Sequence, residues 1–270
     1  MQKTFTDQME RTIKVNFPPK RIISLVPSQS ELLFDLGLNE EVVGITKFCI
    51  HPIDKFATRT KVGGTKKLKI DVIRALQPDL IIGNKEENTK SEIELLSAEF
   101  PVWMSDITNL EDSIQAIEQI GQLVDRSPEA SYLNHLIQAG FTDLQTLALS
   151  KQVNKSVAYI IWKDPYLAAG RTTFIDDILR KIGLTNVVSQ SRYPEITLAQ
   201  LQASNCELVF LSSEPYPFKT QHLEEIQSAL PHATVMLVDG EMFSWYGSRL
   251  VKAVEYLFHL QDSLGDSGER

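Results

Sequence analysis

Only two cysteines, Cys49 and Cys206, occur in 270 residues, too few for a disulfide framework and too few for a structural zinc site. No apolar run approaches the roughly 18 residues of a membrane span, so insertion into a bilayer is not expected. Positive charge is in deficit: 27 Lys and Arg against 35 Asp and Glu leave a formal net charge of -8. That balance argues against nucleic acid or an anionic membrane surface as the main partner, although a local basic cluster could still hold a small anion. A Gly-rich phosphate loop, a nucleophile elbow, an HExxH pair and a dinucleotide fingerprint are all missing, so a non-catalytic role is expected. The first residues, MQKTFTDQMERTIKVNF, lack the basic start, apolar middle and small-residue cleavage site of a secretory leader. A cytoplasmic location is expected on that ground, and a periplasmic one if a leader has been removed.

What the chain does have is an internal echo. IDVIRALQPDLIIG (70 to 83) and LAQLQASNCELVFL (198 to 211) share one pattern, a helix with apolar residues three to four apart followed by an apolar strand. SELLFDLGL (30 to 38) and DDILRKIGL (176 to 184) repeat in the same way, each ending at a glycine that reads as a helix stop. The echo implies an α/β protein of two lobes of similar build, with mainly parallel sheets. Strands are expected at RIISLV, VVGIT, DLIIG and PVWM in the first lobe, and at VAYIIW, NVV, ELVFL and TVMLV in the second. Between them runs a helical pattern in which Ser127 suits an N-cap and Pro128 the first helical position. The expected division is residues 1–126, a connecting backbone helix at 127–152, and 153–270.

Ligands of parallel α/β sheets bind beyond the C-terminal strand ends. The residues just past those ends are therefore the candidates. After RIISLV, Ser28 and Glu31 fit a capping box. After VVGIT come Cys49 and His51, which could ligate a soft or borderline metal if Glu86 or Glu214 completed the set; a structural histidine beside a half-buried thiol is the simpler reading. After DLIIG comes Lys85-Glu86-Glu87-Asn88, and after ELVFL come Glu214 and Tyr216. The echo puts Glu86 and Glu214 at matched positions, facing one cleft if the lobes face each other. Trp162 and Trp245 are candidate ligand walls, and Trp103 suits either a wall or the core. Arg171 and Arg249 could bind a carboxylate or phosphate through two hydrogen bonds.

FTDQMERTIKVNFPPKRIISLVPSQSELLFDLGL, VVGIT and KVGGTKKLKIDVIRALQPDLIIG, with RYPEITLAQL and WYGSR further on, resemble the helical-backbone (class III) substrate-binding proteins of ABC importers for cobalamin, ferric siderophores and haem. FCIHP, NKEEN, WKDPY, GRTTFIDDIL and SSEPYPF look like its metal-receptor subgroup. The resemblance implies two Rossmann-like lobes joined by one long backbone helix, with a ligand in the cleft between them. It also implies an ABC permease as partner, docked through a surface glutamate on each lobe. Here those two positions hold Asp71 and Ala199, so one docking charge is shortened and the other is missing, which counts against delivery without removing the permease as the implied partner.

The function expected is a monomeric, non-catalytic receptor for a small-molecule metal chelate. A corrinoid or other tetrapyrrole such as haem comes first and a ferric siderophore second. No permanent cofactor is implied. Trp162, Tyr216 and Trp245 would supply apolar walls, and Glu86, Asn88 and Glu214 would hydrogen-bond the rim. Mixed charge suits amide-decorated cobalamin better than a trianionic catecholate. Two alternatives remain: a cytoplasmic metal- or tetrapyrrole-handling enzyme using Cys49, His51 and Glu86, and a free metal-ion receptor.

Overall fold

Short runs rich in Ile, Val and Leu alternate with amphipathic helices, and in the computed structural model, which describes residues 1–265, they build two separate parallel sheets. The chain divides into two compact units. One holds Met1–Ile107, Glu111–Leu136 and Tyr246–Arg249; the other holds Thr108–Leu110, Ile137–Trp245 and the residues from Leu250 on.

The first unit opens with an antiparallel hairpin of β1 (Gln2–Thr6) and β2 (Thr12–Asn16). Asp7 closes its turn by accepting from the backbone N–H groups of Met9 and Arg11 and from the Arg11 guanidinium. Then come β3 (Ile22–Ser24), α1 (Pro27–Asp35), β4 (Val42–Ile45), α2 (Ile53–Thr58), β5 (Thr60–Lys61) and the small pair β6 (Gly63–Gly64) and β7 (Lys67–Leu68). They are followed by α3 (Ile70–Leu76), β8 (Leu80–Asn84), α4 (Lys90–Ser97) and β9 (Val102–Ser105). The sheet order is β5-β4-β3-β8-β9, parallel throughout. One core cluster joins Ile23, Leu25, Ile81, Val102 and Met104 to Ile73 of α3 and Ile93 and Leu96 of α4.

Next are α5 (Leu110–Leu123) and the long α6 (Ser127–Ser150). Ser127, expected as the N-cap, already lies inside the observed helix, which ends at Ser150. The second unit adds β10 (Ser156–Trp162), β11 (Leu167–Ala168), α7 (Phe174–Lys181), β12 (Thr185–Asn186), α8 (Leu198–Ser204), β13 (Leu208–Ser212), α9 (Thr220–Ala229), β14 (Thr234–Val238), α10 (Glu241–Ser244) and α11 (Arg249–Gly265). In its sheet β13 lies between β10 and β14, all parallel, and β10 also carries β12 and the antiparallel β11. Ala158, Ile160, Val209, Leu211 and Val235 form the core with Leu201 of α8 and Ile226 of α9.

The echo is realised in detail. Helix α3 leads into β8 as α8 leads into β13. Each helix buries one central residue completely, Ile73 and Leu201. Each ends on a left-handed cap, Gln77 at φ 46° and Asn205 at φ 50°. Gly37 and Gly183, the expected stops, have φ of 84° and 82°, a conformation that costs glycine little.

The capping box expected at Ser28 and Glu31 does not form. Helix α1 begins at Pro27 and its N-cap, Val26, makes no side-chain cap bond. Ser28 and Glu31 are buried, and Glu31 Oε2 instead accepts from Arg249 Nε at 2.8 Å, in a pair whose side chains are 4% and 5% exposed. A tertiary partner 218 residues away overrides the local motif. Breaking such a pair strands a buried charge, which costs about 3–5 kcal/mol. Arg249→Met is therefore expected to lower the melting temperature markedly, and adding Glu31→Gln to recover part of the loss; parallel thermal scans of the two variants test this.

Candidate functional site

Three adjacent strands of the first unit end on buried small polar residues, Ser24, Asn84 and Ser105. One backbone bond follows Ser24 and one follows Asn84, from Leu25 N to Ile82 O and from Lys85 N to Ser105 O; past these, side chains supply the partners. Asn84 Oδ1 accepts from the N–H groups of Glu86 (2.8 Å) and Glu87 (3.0 Å), while Asn84 Nδ2 donates to Ser105 Oγ at 2.9 Å. Asn88 Oδ1 accepts from Asn84 N at 2.8 Å, and Asn88 Nδ2 donates to the carbonyls of Leu25 and Thr65. Gln29 Nε2 donates to Ser105 Oγ at 2.6 Å from α1. A Cβ on Gly83 would stand 2.7 Å from Asn88 Oδ1 and 2.8 Å from Met104 Sδ, so only glycine lets this loop fold back so closely.

NKEEN is thus a built turn. Asn88, a candidate for the ligand rim, is buried and engaged in holding it. Lys85 pairs with Asp106, and Lys66 Nζ donates to the Glu86 carbonyl. Glu86 and Glu87 are half-buried at the tip. Burial pushes the Glu87 carboxyl above its ordinary range; Lys66 opposes the shift and Glu86 adds to it.

Cys49 is fully buried, with Sγ 3.0 Å from Ser30 Oγ and 3.1 Å from Thr46 Oγ1. Burial raises its thiol pKa despite those hydrogen bonds. His51 is half-buried. Among the described residues no three of His, Cys, Asp and Glu converge as a metal site would require, so the Cys49–His51 metal reading is not carried forward. Arg249 faces Glu31 inside the first unit. Trp103 is 1% exposed and belongs to the core.

In the second unit the strand ends carry an aromatic surface. Trp162, at the end of β10, is 39% exposed and meets Tyr216 edge-on with ring centroids 5.6 Å apart. Tyr216 packs on Phe218 at 4.7 Å and on His222 at 5.5 Å. Lys163 and Tyr166 both reach Glu225. Beside Phe218 and Leu237 opens a cavity of about 540 Å³ whose polar side is Ser213, Glu214, Asp239 and Glu241. Glu214 Oε1 accepts from Ser244 Oγ and from the Trp245 indole N–H, each at 2.8 Å. Trp245 is held against the unit by that bond, 8% exposed.

Arg171 stands apart, exposed on a loop whose next residue, Thr172, has φ of 62°. With Arg180 and Asn186 it borders a second cavity of about 560 Å³. The structure therefore gathers Trp162, Glu214, Tyr216 and Trp245 on one unit, and Lys85, Glu86, Glu87 and Asn88 on the other. Ser213, Asp239 and Glu241 were not singled out from the sequence, although all three follow strands that were assigned. Asn84 and Ser105 escaped because a polar residue ending an apolar run looks like the start of a loop, and Gln29 because it sits among polar residues in the first turn of α1.

Burial is the largest influence on Glu214 and pushes its pKa above the ordinary 4.5; Glu241 and Asp239 add to the shift, and Ser244 and Trp245 oppose it. The folded chain thus holds this proton more tightly than the unfolded chain does. That contribution to stability is complete below pH 4.5 and disappears as pH rises through the raised value. Glu214→Gln, neutral at every pH, is expected to melt above the parent near pH 7.5, with the gap closing below about pH 4.5; calorimetry across that window measures it.

Over residues 22–232 the chain matches the family described as periplasmic binding protein. It is 25% identical over 267 residues to the uncharacterized ABC transporter substrate-binding lipoprotein YvrC of Bacillus subtilis, spanning 94% of this chain and 83% of that one. To the vitamin B12-binding protein of Vibrio campbellii it is 27% identical over 204 residues, 73% of this chain and 72% of that one. Among solved structures, a periplasmic heme binding protein from Pseudomonas aeruginosa matches with a TM-score of 0.80 at 20% identity, over 92% of this chain and 94% of that one, a likeness of fold.

These findings correct one expectation. The relatives are periplasmic proteins or a lipoprotein, which overturns the cytoplasmic placement; a missing leader pattern in the first seventeen residues is no evidence of compartment. A relative named as an ABC transporter substrate-binding lipoprotein implies a permease partner and a small-molecule ligand. The matched family model and the two-sheet parallel fold agree, and the chain belongs to the periplasmic binding protein family, the substrate-binding receptors of ABC importers.

Proposed function

We propose that this receptor works outside the cytoplasm, without catalysis, and captures a flat metal chelate, a corrinoid before another tetrapyrrole. The observation that carries the reading is the Trp162–Tyr216 surface. An indole 39% exposed at a strand end, braced edge-on by a second ring, offers the broad apolar face that a macrocycle buries against. Support also comes from the vitamin B12-binding and heme-binding proteins among its relatives. Glu214, which holds Trp245, lines the cavity beside Phe218, and Phe218 packs on Tyr216 of that surface. Residues 127–152 serve as the connecting segment between 1–126 and 153–270, whose last five residues lie outside the described chain. A permease would meet Asp71, which is fully exposed on α3 beside Arg74.

The enzyme and free-ion readings have less behind them. The Cys49 thiol is enclosed by Ser30 and Thr46, and convergent metal ligands are lacking among the described residues.

Titration with cyanocobalamin, haemin and a ferric siderophore, read by intrinsic tryptophan fluorescence and by melting temperature, tests the proposal. Quenching and a raised melting temperature are expected with at least one of the first two. No response to any of the three would overturn it. Trp162→Ala is expected to weaken that binding about tenfold, the loss typical of one aromatic contact, with an unchanged melting temperature of the free protein.

A further inference from the structure

The cavity beside Phe218 has a one-sided chemistry. Its polar lining is Ser213 and three carboxylates, with no lysine, arginine or histidine among its lining residues. One of those carboxylates is pre-set. Glu214 Oε1 is held by Ser244 and Trp245, while Oε2 makes no hydrogen bond with the described residues. Asp239 Oδ1 is likewise tied, accepting from Glu241 N at 3.1 Å. The wall therefore presents fixed acceptors, and it does so next to the aromatic surface on which the macrocycle is placed.

We propose, resting on the receptor reading above, that this wall sorts chelates by their rim, accepting side chains that end in amide N–H donors and refusing those that end in carboxylates. An amide gives Glu214 Oε2 a charge-assisted hydrogen bond. A carboxylate in the same place meets like charge, with no lysine, arginine or histidine among the lining residues, and such repulsion is how a binding site excludes a near-isostere. Glu214 is thus a specificity-determining residue as well as the support of Trp245.

Glu214→Gln separates the two roles. The glutamine keeps an acceptor for Ser244 and the Trp245 indole, so the indole stays in place. It removes the charge and puts an N–H group in the place of Oε2. The probes are cyanocobalamin, the same corrin with its side-chain amides hydrolysed to carboxylates, and haemin, with dissociation constants measured for wild type and Glu214→Gln. Wild type is expected to bind the amide corrin at least about tenfold more tightly than the acid, the effect of one hydrogen bond to a charged group. The substitution is expected to cut that ratio several-fold while the emission of the free protein is unchanged. Asp239→Asn serves as a second variant should Glu214→Gln fold poorly, with a smaller change in the same direction. Equal binding of the amide and acid corrins by wild type, or a ratio unmoved by both variants, overturns this inference and leaves the receptor reading standing. Failure to bind any probe overturns both.

Discussion

A buried parallel strand must stop somewhere, and at its last residue the backbone loses its ladder partners while still surrounded by apolar side chains. Satisfying that end is the constraint on which both candidate surfaces depend. In the first unit Asn84 and Asn88 meet it. Each lends an amide to the backbone of the other's turn, and Ser105 and Gln29 complete the network. The cost of leaving any of these groups unpaired in the interior makes the turn rigid, and rigidity holds Glu86 and Glu87 at its tip.

The second unit solves the same problem at the same topological place with other residues. Ser212 ends β13 as Asn84 ends β8; it accepts from the Tyr159 hydroxyl and donates to the Glu214 carbonyl. There the carboxylate is pinned by a serine and an indole. The two turns are equivalent in architecture and different in chemistry. One turns its amides inward to hold itself, and the other leaves a carboxylate oxygen outside its own hydrogen-bond network. Gly240 marks how tightly the second turn is drawn: a Cβ there would stand 2.4 Å from Ser212 Oγ and 2.6 Å from Glu214 Cγ.

Function in such a receptor follows from what strand ends expose, not from a reactive group. Titratable residues that sequence alone would nominate for chemistry are used structurally. Cys49 fills a buried position against two hydroxyls, and Arg249 neutralises Glu31. The pKa shifts at Glu87 and Glu214 come mainly from burial, as expected for carboxylates at the end of a packed sheet.

The sequence by itself determined the α/β class, the duplicated helix-and-strand unit, the bounds of β14 and, within two or three residues, the other central strands. Apolar periodicity and glycine stops are local signals, and the echo between residues 70–83 and 198–211 doubled them. The same locality explains the errors. Ser28 and Glu31 satisfy a helix-start pattern, yet Glu31 answers to Arg249 far along the chain. Asn88 looks like a solvated loop residue, yet its amide is buried beneath the turn. Only the tertiary structure decided which polar side chains hold the fold and which remain open to a ligand, because each has a limited number of hydrogen bonds and residues distant in sequence determine where they go.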